Sequence, residues 1–492
     1  MLTIVGRDDE QAVLESAYQS NRPEFIAVYG RRRVGKTYLI RNHFANKPGT
    51  AFFYATGTKD GSLSEQITNF TDEISRTFLY AGAKLALEKN WRDTLKTLTD
   101  NINAATDKKK IVLFIDEFPW MVTRNSKLLQ TLEYYWNHHW SRDPRIKLII
   151  CGSSSGWILK NIINNKGGLH NRVTRVIHLE PFDLNKTKKY LTYEKIKLTN
   201  EQIVHIYMVL GGIPYYLSRV ASGLSATQVI EDLSFKKDSF MLSEFNNLYA
   251  TLFGAAEMHI NLARIIASHR YGIGQEDIAT QMGTISSGGR LTTWLNDLEQ
   301  AGFIIRFKPF SHGKRGIHYK MIDEYSLFYF HWLEPLSGSL LDRGMRKGYW
   351  ESIQQSPSWH SWAGYAFELV CYKHIPQISK GLNISPTALP YTWKYAPHKN
   401  SQEQGAQIDL LFDRNDDSIT LCEIKYTEKP YAIDKQYAQR LQQKIDVFKK
   451  VTRTRKNIFL AMITSSGLKD TIYSEEMIQG IVTLNDLFKE VE

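Results

Sequence analysis

The chain has 492 residues, which is too many for one hydrophobic core and indicates several domains. Hydrophobic residues make up 42% of it and aromatic residues 12%, which excludes a disordered protein. The formal charge of +11 at pH 7 favours a polyanionic partner such as nucleic acid, although a merely soluble protein also fits that charge.

Three cysteines, Cys151, Cys371 and Cys422, are far apart and lie in apolar stretches, which predicts reduced core residues rather than disulfides or a zinc site. The first residues lack the basic and apolar regions of a signal peptide, and no run of about 18 apolar residues occurs. We therefore expect a cytoplasmic protein without a membrane segment.

The first motif follows the apolar run FIAVY, which is predicted to be a β-strand. Gly30, Gly35, Lys36 and Thr37 have the spacing of a phosphate-binding loop, and a helical pattern comes next. In such a loop backbone N–H groups surround phosphate oxygens, the lysine reaches the β and γ phosphates, and the threonine hydroxyl binds Mg²⁺. The motif predicts ATP and Mg²⁺ as cofactors, bound by Gly30, Arg31, Arg32, Arg33, Val34, Gly35, Lys36, Thr37 and Tyr38.

The arginines inside this loop allow two interpretations. Arg31, Arg32 and Arg33 form a patch for nucleic acid, or their side chains point away from the phosphate cradle into solvent or a neighbouring subunit. The second interpretation is the simpler one, because the backbone of the loop is what holds the phosphates.

Two further predicted strands end in polar residues. In KKKIVLFIDEF, Asp116 is placed to hold Mg²⁺ and Glu117 to polarise the attacking water. In IKLIICGSSSGWI, Ser153 or Ser154 is placed to sense the γ-phosphate, or else to cap the next helix. With TAFFYATG and TRVIHLEPF, five strands alternate with helices, which is typical of a parallel sheet.

Together, these motifs resemble those of the AAA+ and STAND-like ATPases, in particular the archaeal-type ATPase family of archaea and bacteria. The opening VGRDDE is similar to that family's GRExE element, which implies that Arg7 lies near the base of the nucleotide. GGIP at 211–214 is similar to the family's small helical lid, and Arg172 or Arg175 is implied as an arginine finger, with a surface ion pair as the alternative. We expect an ATPase core at 1–182 and a helical lid at 183–250.

Between 251 and 335 the pattern predicts three helices followed by two strands around a glycine-containing turn, the order of a winged helix. Its third helix would lie in a DNA major groove, and three basic residues at the wing, Lys308, Lys314 and Arg315, would meet phosphates. That helix carries Arg290 but also Asp297 and Glu299. A module for packing against protein is therefore the alternative.

In the last segment, 336–492, two apolar runs joined by DRNDDS predict a β-hairpin. Residues i and i+2 of a strand share a face, so Glu423 and Lys425 point together, while Ile408, Leu410 and Phe412 face away from Asp409. The hairpin thus gathers two carboxylates and an amine on one side, as a Mg²⁺-dependent phosphodiesterase requires. A solvated face with a Glu–Lys pair is the alternative.

Glu368 lies on a predicted helix before this hairpin, and the order Glu, Asp, Glu-x-Lys resembles that of the PD-(D/E)XK nucleases over residues 360 to 465. The resemblance implies that Glu368 orients the metal or its water, Asp409 and Glu423 bind Mg²⁺, and Lys425 positions the nucleophile. It also implies an accessory role for Lys435 or Gln436. Gln407 and Ile408 stand where the proline of the motif is usual.

The sequence therefore predicts an α/β multidomain chain with four parts: a P-loop NTPase parallel sheet, a helical lid, a winged helix and an α/β restriction-endonuclease-like domain. The predicted function is ATP hydrolysis coupled to nucleic-acid binding and Mg²⁺-dependent cleavage, with DNA favoured over RNA and a homo-oligomer left open. The first alternative is a STAND-type switch in regulation or defence whose last domain only binds a partner. A transcription regulator acting through the winged helix is the other alternative.

Overall fold

The computed structural model describes residues 3–79, 83–123, 125–164, 169–283, 289–310, 316–336, 345, 347–397 and 404–491. The chain divides into two compact units, Met1–Pro181 and Phe182–Glu492. Among the helices in these described ranges, none is long and apolar enough to cross a membrane.

The first unit is built on a five-stranded sheet in which every neighbouring pair is parallel, in the order β2-β3-β4-β1-β5. Its strands are β1 Glu24–Tyr29, β2 Thr50–Thr56, β3 Lys110–Asp116, β4 Ile146–Gly152 and β5 Arg175–His178. Its helices are Asp8–Gln19, Lys36–Phe44, Leu63–Phe78, Trp91–Ala104, Phe118–Met121, Leu128–His138 and Ser155–Ile158. The predicted parallel sheet of five strands is confirmed.

Burial explains why the central strands read as continuous apolar runs. Every residue of β4 is buried, as are six of the seven residues of β3, because helices cover both faces of a parallel sheet. Two of these helices begin at capping side chains: Ser62 accepts from Glu65 N at 3.2 Å, and Asn90 accepts from Asp93 N at 3.0 Å. The carboxyl ends of β1, β3 and β4 therefore lie side by side, where loops can carry functional groups.

The second unit starts with helices and continues with a small antiparallel sheet. The first helices are Leu184–Tyr193, Asn200–Leu210, Pro214–Leu217, Ala226–Ser234 and Phe240–Leu252. Then follow Ala256–Ala267, Gln275–Gln281 and Gly289–Gln300, with β6 Ile273–Gly274, β7 Ile304–Phe307 and β8 His318–Met321, and the helix Glu324–Phe328. The strand order is β6-β8-β7, and both pairs are antiparallel.

A mixed five-stranded sheet forms the end of the second unit, in the order β13-β12-β11-β10-β9. Its strands are β9 Leu389–Tyr395, β10 Ala406–Asp413, β11 Ser418–Lys425, β12 Asn457–Thr464 and β13 Gly480–Thr483. The pairs β9–β10 and β10–β11 are antiparallel, and β11–β12 and β12–β13 are parallel. The accompanying helices are Tyr349–Gln354, Pro357–Lys373, Ile375–Gly381, Lys435–Thr452 and Ile472–Met477.

The predicted hairpin exists as β10 and β11, but its alternation of faces is interrupted. The register between β10 and β9 shifts between Ile408 and Leu411, so β10 has one more residue than its partner there. Ile408 and Leu411 consequently pack in the same hydrophobic cluster. The prediction that Ile408 shares a face with Leu410 and Phe412 is therefore wrong, because the irregularity falls next to Asp409.

Candidate ATP site and carboxylate cluster

The phosphate-binding loop of the first unit connects β1 to the helix Lys36–Phe44. Gly30 has φ +148°, and a Cβ atom there would lie 2.2 Å from Leu179 O, so only glycine fits. Gly35 caps the helix with φ +94°, a left-handed conformation that also favours glycine. The backbone conformation of the loop therefore favours glycine at both positions, in addition to the close approach of a phosphate that the motif predicts.

Lys36 is only 6% exposed and its amino group lies inside the loop. Nζ donates to Gly30 O at 2.9 Å and to Arg31 O at 3.0 Å. The amine therefore lies on the concave side of the loop, where its N–H groups can donate to phosphate oxygens instead of to these carbonyls.

Thr37 and Asp116 meet although they are 79 residues apart. Thr37 Oγ1 donates to Asp116 Oδ2 at 2.5 Å, and Asp116 is 3% exposed at the end of β3. A hydroxyl and a carboxylate are the protein oxygens that Mg²⁺ takes beside phosphate oxygens and water. The pair therefore fits a magnesium ion bound together with ATP.

Glu117 has φ 44° and ψ 40°, a left-handed conformation that is uncommon for glutamate. Its Oε2 accepts from Ser153 N at 3.0 Å and from Ser153 Oγ at 2.9 Å. Burial raises the pKa of Glu117, while the two hydrogen bonds from Ser153 and the charge of Lys36 lower it. Ser153, at the end of β4, therefore contacts the carboxylate that was predicted to polarise water.

Arg7 lies under the loop and is 4% exposed. Nη2 donates to Val34 O at 3.1 Å and Nη1 to Glu10 Oε1 at 3.1 Å. Arg31 is 5% exposed, and Arg32 and Arg33 are half-buried. The expectation was that these side chains point into solvent or a neighbouring subunit. Arg31 does not point into solvent, because the protein buries it.

The remaining candidates of the first unit lie apart from the loop's concave side or at its edge. Tyr38 is 45% exposed on the first turn of the helix, and Ser154 precedes the helix Ser155–Ile158 without capping it through its side chain. Arg172 is exposed, whereas Arg175 Nε lies 3.5 Å from Glu24 Oε2. Glu24 begins β1, so this ion pair is at the amino end of the strand, opposite the phosphate-binding loop.

In the second unit Glu368, Asp409 and Glu423 are all buried, with exposed fractions of 3%, 8% and 2%. Asp409 Oδ2 accepts from Ile424 N at 3.1 Å, and Oδ1 accepts from Gln407 Nε2 at 3.1 Å. The charge of Asp409 contributes to a raised pKa at both glutamates. Asp409 is therefore near both of them, and we call these three residues the carboxylate cluster.

Three side chains contact Glu423. Lys444 Nζ donates to Oε1 at 2.5 Å, Tyr437 Oη donates to Oε2 at 3.1 Å, and Lys425 Nζ lies 3.7 Å from Oε2. Burial raises the pKa of Glu423, Asp409 adds to that rise, and the two lysines oppose it. Glu423 and Lys425 therefore lie together, as predicted from their spacing.

Glu368 on the helix Pro357–Lys373 is paired with Arg270, whose Nη2 donates to Oε1. Burial raises the pKa of Glu368 most, Asp409 adds to the rise, and Arg270 opposes it. Lys320 on β8 is also near, because its charge acts on Glu368. The segment predicted as a winged helix thus supplies two cations to the cluster.

Sequence reasoning missed four of these partners: Arg270, Lys320, Tyr437 and Lys444. The expected accessory residues, Lys435 and Gln436, are exposed instead, because the helix Lys435–Thr452 faces Glu423 with another side. Tyr437 and Lys444 are seven residues apart, two helical turns, and this spacing was the available signal. Arg270 and Lys320 left no local signal.

The carboxylate cluster does not fit a magnesium ion in this arrangement. Within the described ranges, no group of three or more His, Cys, Asp and Glu side chains is arranged to hold a metal. Arg270 engages Glu368, and Lys444 and Tyr437 engage both oxygens of Glu423. Cationic side chains and a hydroxyl group therefore already bind the carboxylate oxygens that would coordinate a metal ion.

Two of the predicted DNA contacts, Lys308 and Arg290, are exposed. Lys314 and Arg315 lie outside the described residues.

Comparisons with known proteins match the first unit and much of the second. Residues 4–220 match a family model described as an ATPase domain predominantly from Archaea. An uncharacterized protein of Methanocaldococcus jannaschii is 25% identical over 428 residues, which are 86% of this chain and 88% of that protein. An uncharacterized ATP-binding protein of the same organism is 43% identical over 47 residues, 10% of this chain and 80% of that protein.

Two solved structures are similar in part. A Walker-type ATPase of Pyrococcus abyssi has a TM-score of 0.47 and 18% identity, covering 66% of this chain and 96% of that one. The ORC2 protein of Aeropyrum pernix, in ADPNP and ADP complexes, has a TM-score of 0.44 and 14% identity, covering 76% and 96%.

With its phosphate-binding loop, its Thr37–Asp116 pair and the family match over residues 4–220, the chain belongs to the P-loop ATPases whose domain occurs predominantly in Archaea.

Proposed function

We propose that the chain hydrolyses ATP and that its nucleotide state controls nucleic-acid binding by the second unit. Two contacts support the proposal of ATP hydrolysis: the hydrogen bond between Thr37 and Asp116, and the two hydrogen bonds that Ser153 donates to Glu117. Asp116 and Glu117 lie at the carboxyl end of β3, Ser153 follows the neighbouring strand β4, and Thr37 lies on the first turn of the helix after the phosphate-binding loop. This supports a role for two oxygen ligands and a carboxylate base beside that loop.

The chemistry of the first unit follows from its own side chains. Lys36 exchanges its bonds with Gly30 O and Arg31 O for bonds with phosphate oxygens. Thr37 and Asp116 would hold Mg²⁺, which neutralises phosphate charge when bound. Glu117 orients a water molecule and accepts its proton, and Ser153 keeps the carboxylate in place for that role.

Steady-state hydrolysis by the purified full-length chain tests this half. Lys36→Ala should lose ATP binding. Glu117→Gln should still bind ATP, but its turnover should fall by about a hundredfold or more. Lys84→Ala changes an exposed lysine of the same unit and serves as the control. Wild-type turnover in Lys36→Ala would contradict the proposal.

The proposal for the second unit is that it binds nucleic acid, DNA in preference to RNA. Supporting it are the net charge of +11 and the order of three helices and an antiparallel pair, which is that of a winged helix. The sheet β9–β13 with its flanking helices supports a restriction-endonuclease-like domain at the end of the chain. Binding of a labelled DNA duplex and of RNA, with ATP and with ADP, measures both the preference and its control.

Metal-dependent DNA cleavage is a second candidate for this unit. It is favoured by the convergence of Glu368, Asp409 and Glu423 with Lys425, but the engaged carboxylates do not fit Mg²⁺ as they stand. Plasmid DNA incubated with Mg²⁺, with and without ATP, decides the matter. Nicking by wild type but not by Asp409→Ala supports cleavage, and equal inertness of both proteins rejects it.

The ion pairs of the carboxylate cluster favour the switch alternative, in which the second unit binds a partner without cutting. Lys36→Ala and Asp409→Ala, compared in one cellular assay, separate the two ideas. A switch loses function only with Lys36→Ala, whereas a nuclease loses function with either substitution.

A further inference from the structure

Lys320, on β8 of the second unit, is a buried cation. It is 2% exposed, and its Nζ lies 4.0 Å from the centroid of the Tyr372 ring. Among the residues that the structure describes, Glu368 and Asp409 act on Lys320 through their charges and not through a hydrogen bond. A buried ammonium group of this kind is costly unless an anion reaches it.

Burial and the neighbouring carboxylates act in opposite directions on the pKa of this amine. Burial lowers the pKa of Lys320 to about 8, the charges of Glu368 and Asp409 oppose the decrease, and Arg270 adds to it. The two carboxylates thus act from a distance, without a direct bond to Nζ. The direct partner of Lys320 has to come from the side that is open.

That open side is a cavity of about 320 Å³. Its lining includes Lys320, the exposed Lys394, His318, Tyr271, Tyr372 and Asp409. Lys394 Nζ lies 4.8 Å from the centroid of the Tyr271 ring, so a second cation stands over an aromatic face at the cavity wall. Two amines and a histidine against one carboxylate make the cavity suitable for an anionic group.

A smaller cavity of about 160 Å³ adjoins the first and shares Lys320, Tyr372 and Thr392 with it. Most of its other lining is apolar and includes Phe307, Tyr391 and Leu410. A cationic cavity beside an apolar, aromatic one matches a ligand with a phosphate at one end and a planar ring at the other.

We propose that the two cavities form a site for one nucleotide, with the phosphate beside Lys320 and Lys394 and the base in the apolar cavity near Phe307. The nucleotide is either part of a nucleic-acid strand or a free mononucleotide. In the first case the inference rests on the proposed nucleic-acid-binding role. Asp409 lines the first cavity, so the bound phosphate lies next to the carboxylate cluster.

The test uses the full-length chain carrying Lys36→Ala, so that the ATP site does not contribute. Fluorescently labelled hexathymidylate is the probe, and thymidine monophosphate and inorganic phosphate are the competitors. Lys394→Ala and Lys320→Met should each weaken binding of the probe about tenfold, the loss expected for one charge-assisted hydrogen bond. Lys429→Ala removes an exposed lysine that does not line the cavity and should bind within about twofold of the parent.

The outcomes separate the site from the broader proposal. Competition by thymidine monophosphate that is lost in Lys394→Ala supports a free nucleotide, and binding of the hexamer alone supports a strand. If a long DNA duplex binds but the hexamer binds equally well to parent and both variants, the site is wrong and the nucleic-acid role stands. If no DNA binds to the parent, the nucleic-acid role fails. If inorganic phosphate competes as strongly as the mononucleotide, the apolar cavity near Phe307 does not bind the base and that part of the proposal is wrong. Because Lys394 is exposed, its variant remains informative if Lys320→Met unfolds.

Discussion

Arg270 forms an ion pair with Glu368, which is 98 residues later in the chain and 3% exposed. The arginine follows the helix Ala256–Ala267, and the glutamate lies on the helix Pro357–Lys373. The guanidinium also lies 5.4 Å from the centroid of the Tyr365 ring. One side chain therefore neutralises a buried carboxylate and packs on an aromatic ring, and its removal leaves the carboxylate without this partner.

Arg270→Ala should destabilise the protein. Breaking a fully buried pair costs about 3–5 kcal/mol, and about 2 kcal/mol is expected here since the arginine side chain is 35% exposed. The double variant Arg270→Ala, Glu368→Gln should regain most of the loss, because no carboxylate is then left without its partner at position 368. Urea unfolding of the full chain measures both.

The matched control for this pair is Arg264→Ala, which breaks the more exposed Arg264–Glu334 pair. A loss of at most about 1 kcal/mol is expected there. Equal losses for Arg264→Ala and Arg270→Ala would show that burial of Glu368 does not determine the effect.

Ser153→Ala should lower the turnover of ATP several-fold and leave its KM nearly unchanged. The substitution removes the Ser153 Oγ bond to Glu117 but keeps the bond from the backbone N–H. The carboxylate is still present but is less well oriented. The hydroxyl lowers the pKa of Glu117, so its loss should also shift the acidic limb of the pH–rate profile to higher pH. A change in KM alone would point to nucleotide binding instead.

Glu423→Gln should gain stability relative to wild type as pH rises. Burial and Asp409 raise the pKa of Glu423 in the folded protein, so its favourable contribution is present below the unfolded pKa of about 4.3 and is lost as pH rises through the folded value. Glutamine does not titrate. The difference in Tm between variant and wild type should therefore move in favour of the variant between pH 4 and pH 7, and Glu428→Gln, at an exposed position, should show no such trend.

His374 should make the protein less stable in acid. Its Nε2 accepts from Leu184 N at 3.0 Å, so the proton of the neutral ring is on Nδ1, which donates to Val370 O at 2.7 Å. Burial lowers the pKa of His374 to about 4 from an ordinary value near 6.5. The unfolded chain takes up the proton first, so stability falls as pH decreases from about 6.5 to about 4, by about 3 kcal/mol at most.

His374→Gln tests this dependence, because glutamine keeps a donor and an acceptor but does not titrate. The variant should show a flatter decrease of Tm with acid than wild type. His360→Gln, at an exposed position, should keep the wild-type slope. Parallel slopes for wild type and His374→Gln would reject the role of the histidine.

Local sequence was sufficient to identify residues that meet beside the phosphate-binding loop. The glycine spacing, Lys36, Thr37 and the acidic end of β3 are contiguous motifs whose roles depend on strand ends, and the parallel order of the strands brings those ends together. The contact of Ser153 with Glu117 was not predicted, because a serine after a strand was interpreted only as a sensor of the γ-phosphate or as a helix cap.

The sequence by itself determined the candidate chemical groups of the chain: a phosphate-binding loop, the two acidic residues Asp116 and Glu117 at the end of one strand, and an ordered set of Glu368, Asp409, Glu423 and Lys425. Only the tertiary structure decided how those groups are used. The irregularity next to Asp409 changes which residues of β10 share a face. Arg270 and Lys444 bind the carboxylates from other segments, and the charge of Lys320 acts on Glu368. The physical reason is that periodicity reports the faces of one helix or strand, whereas the pairing of buried charges depends on which segments pack together.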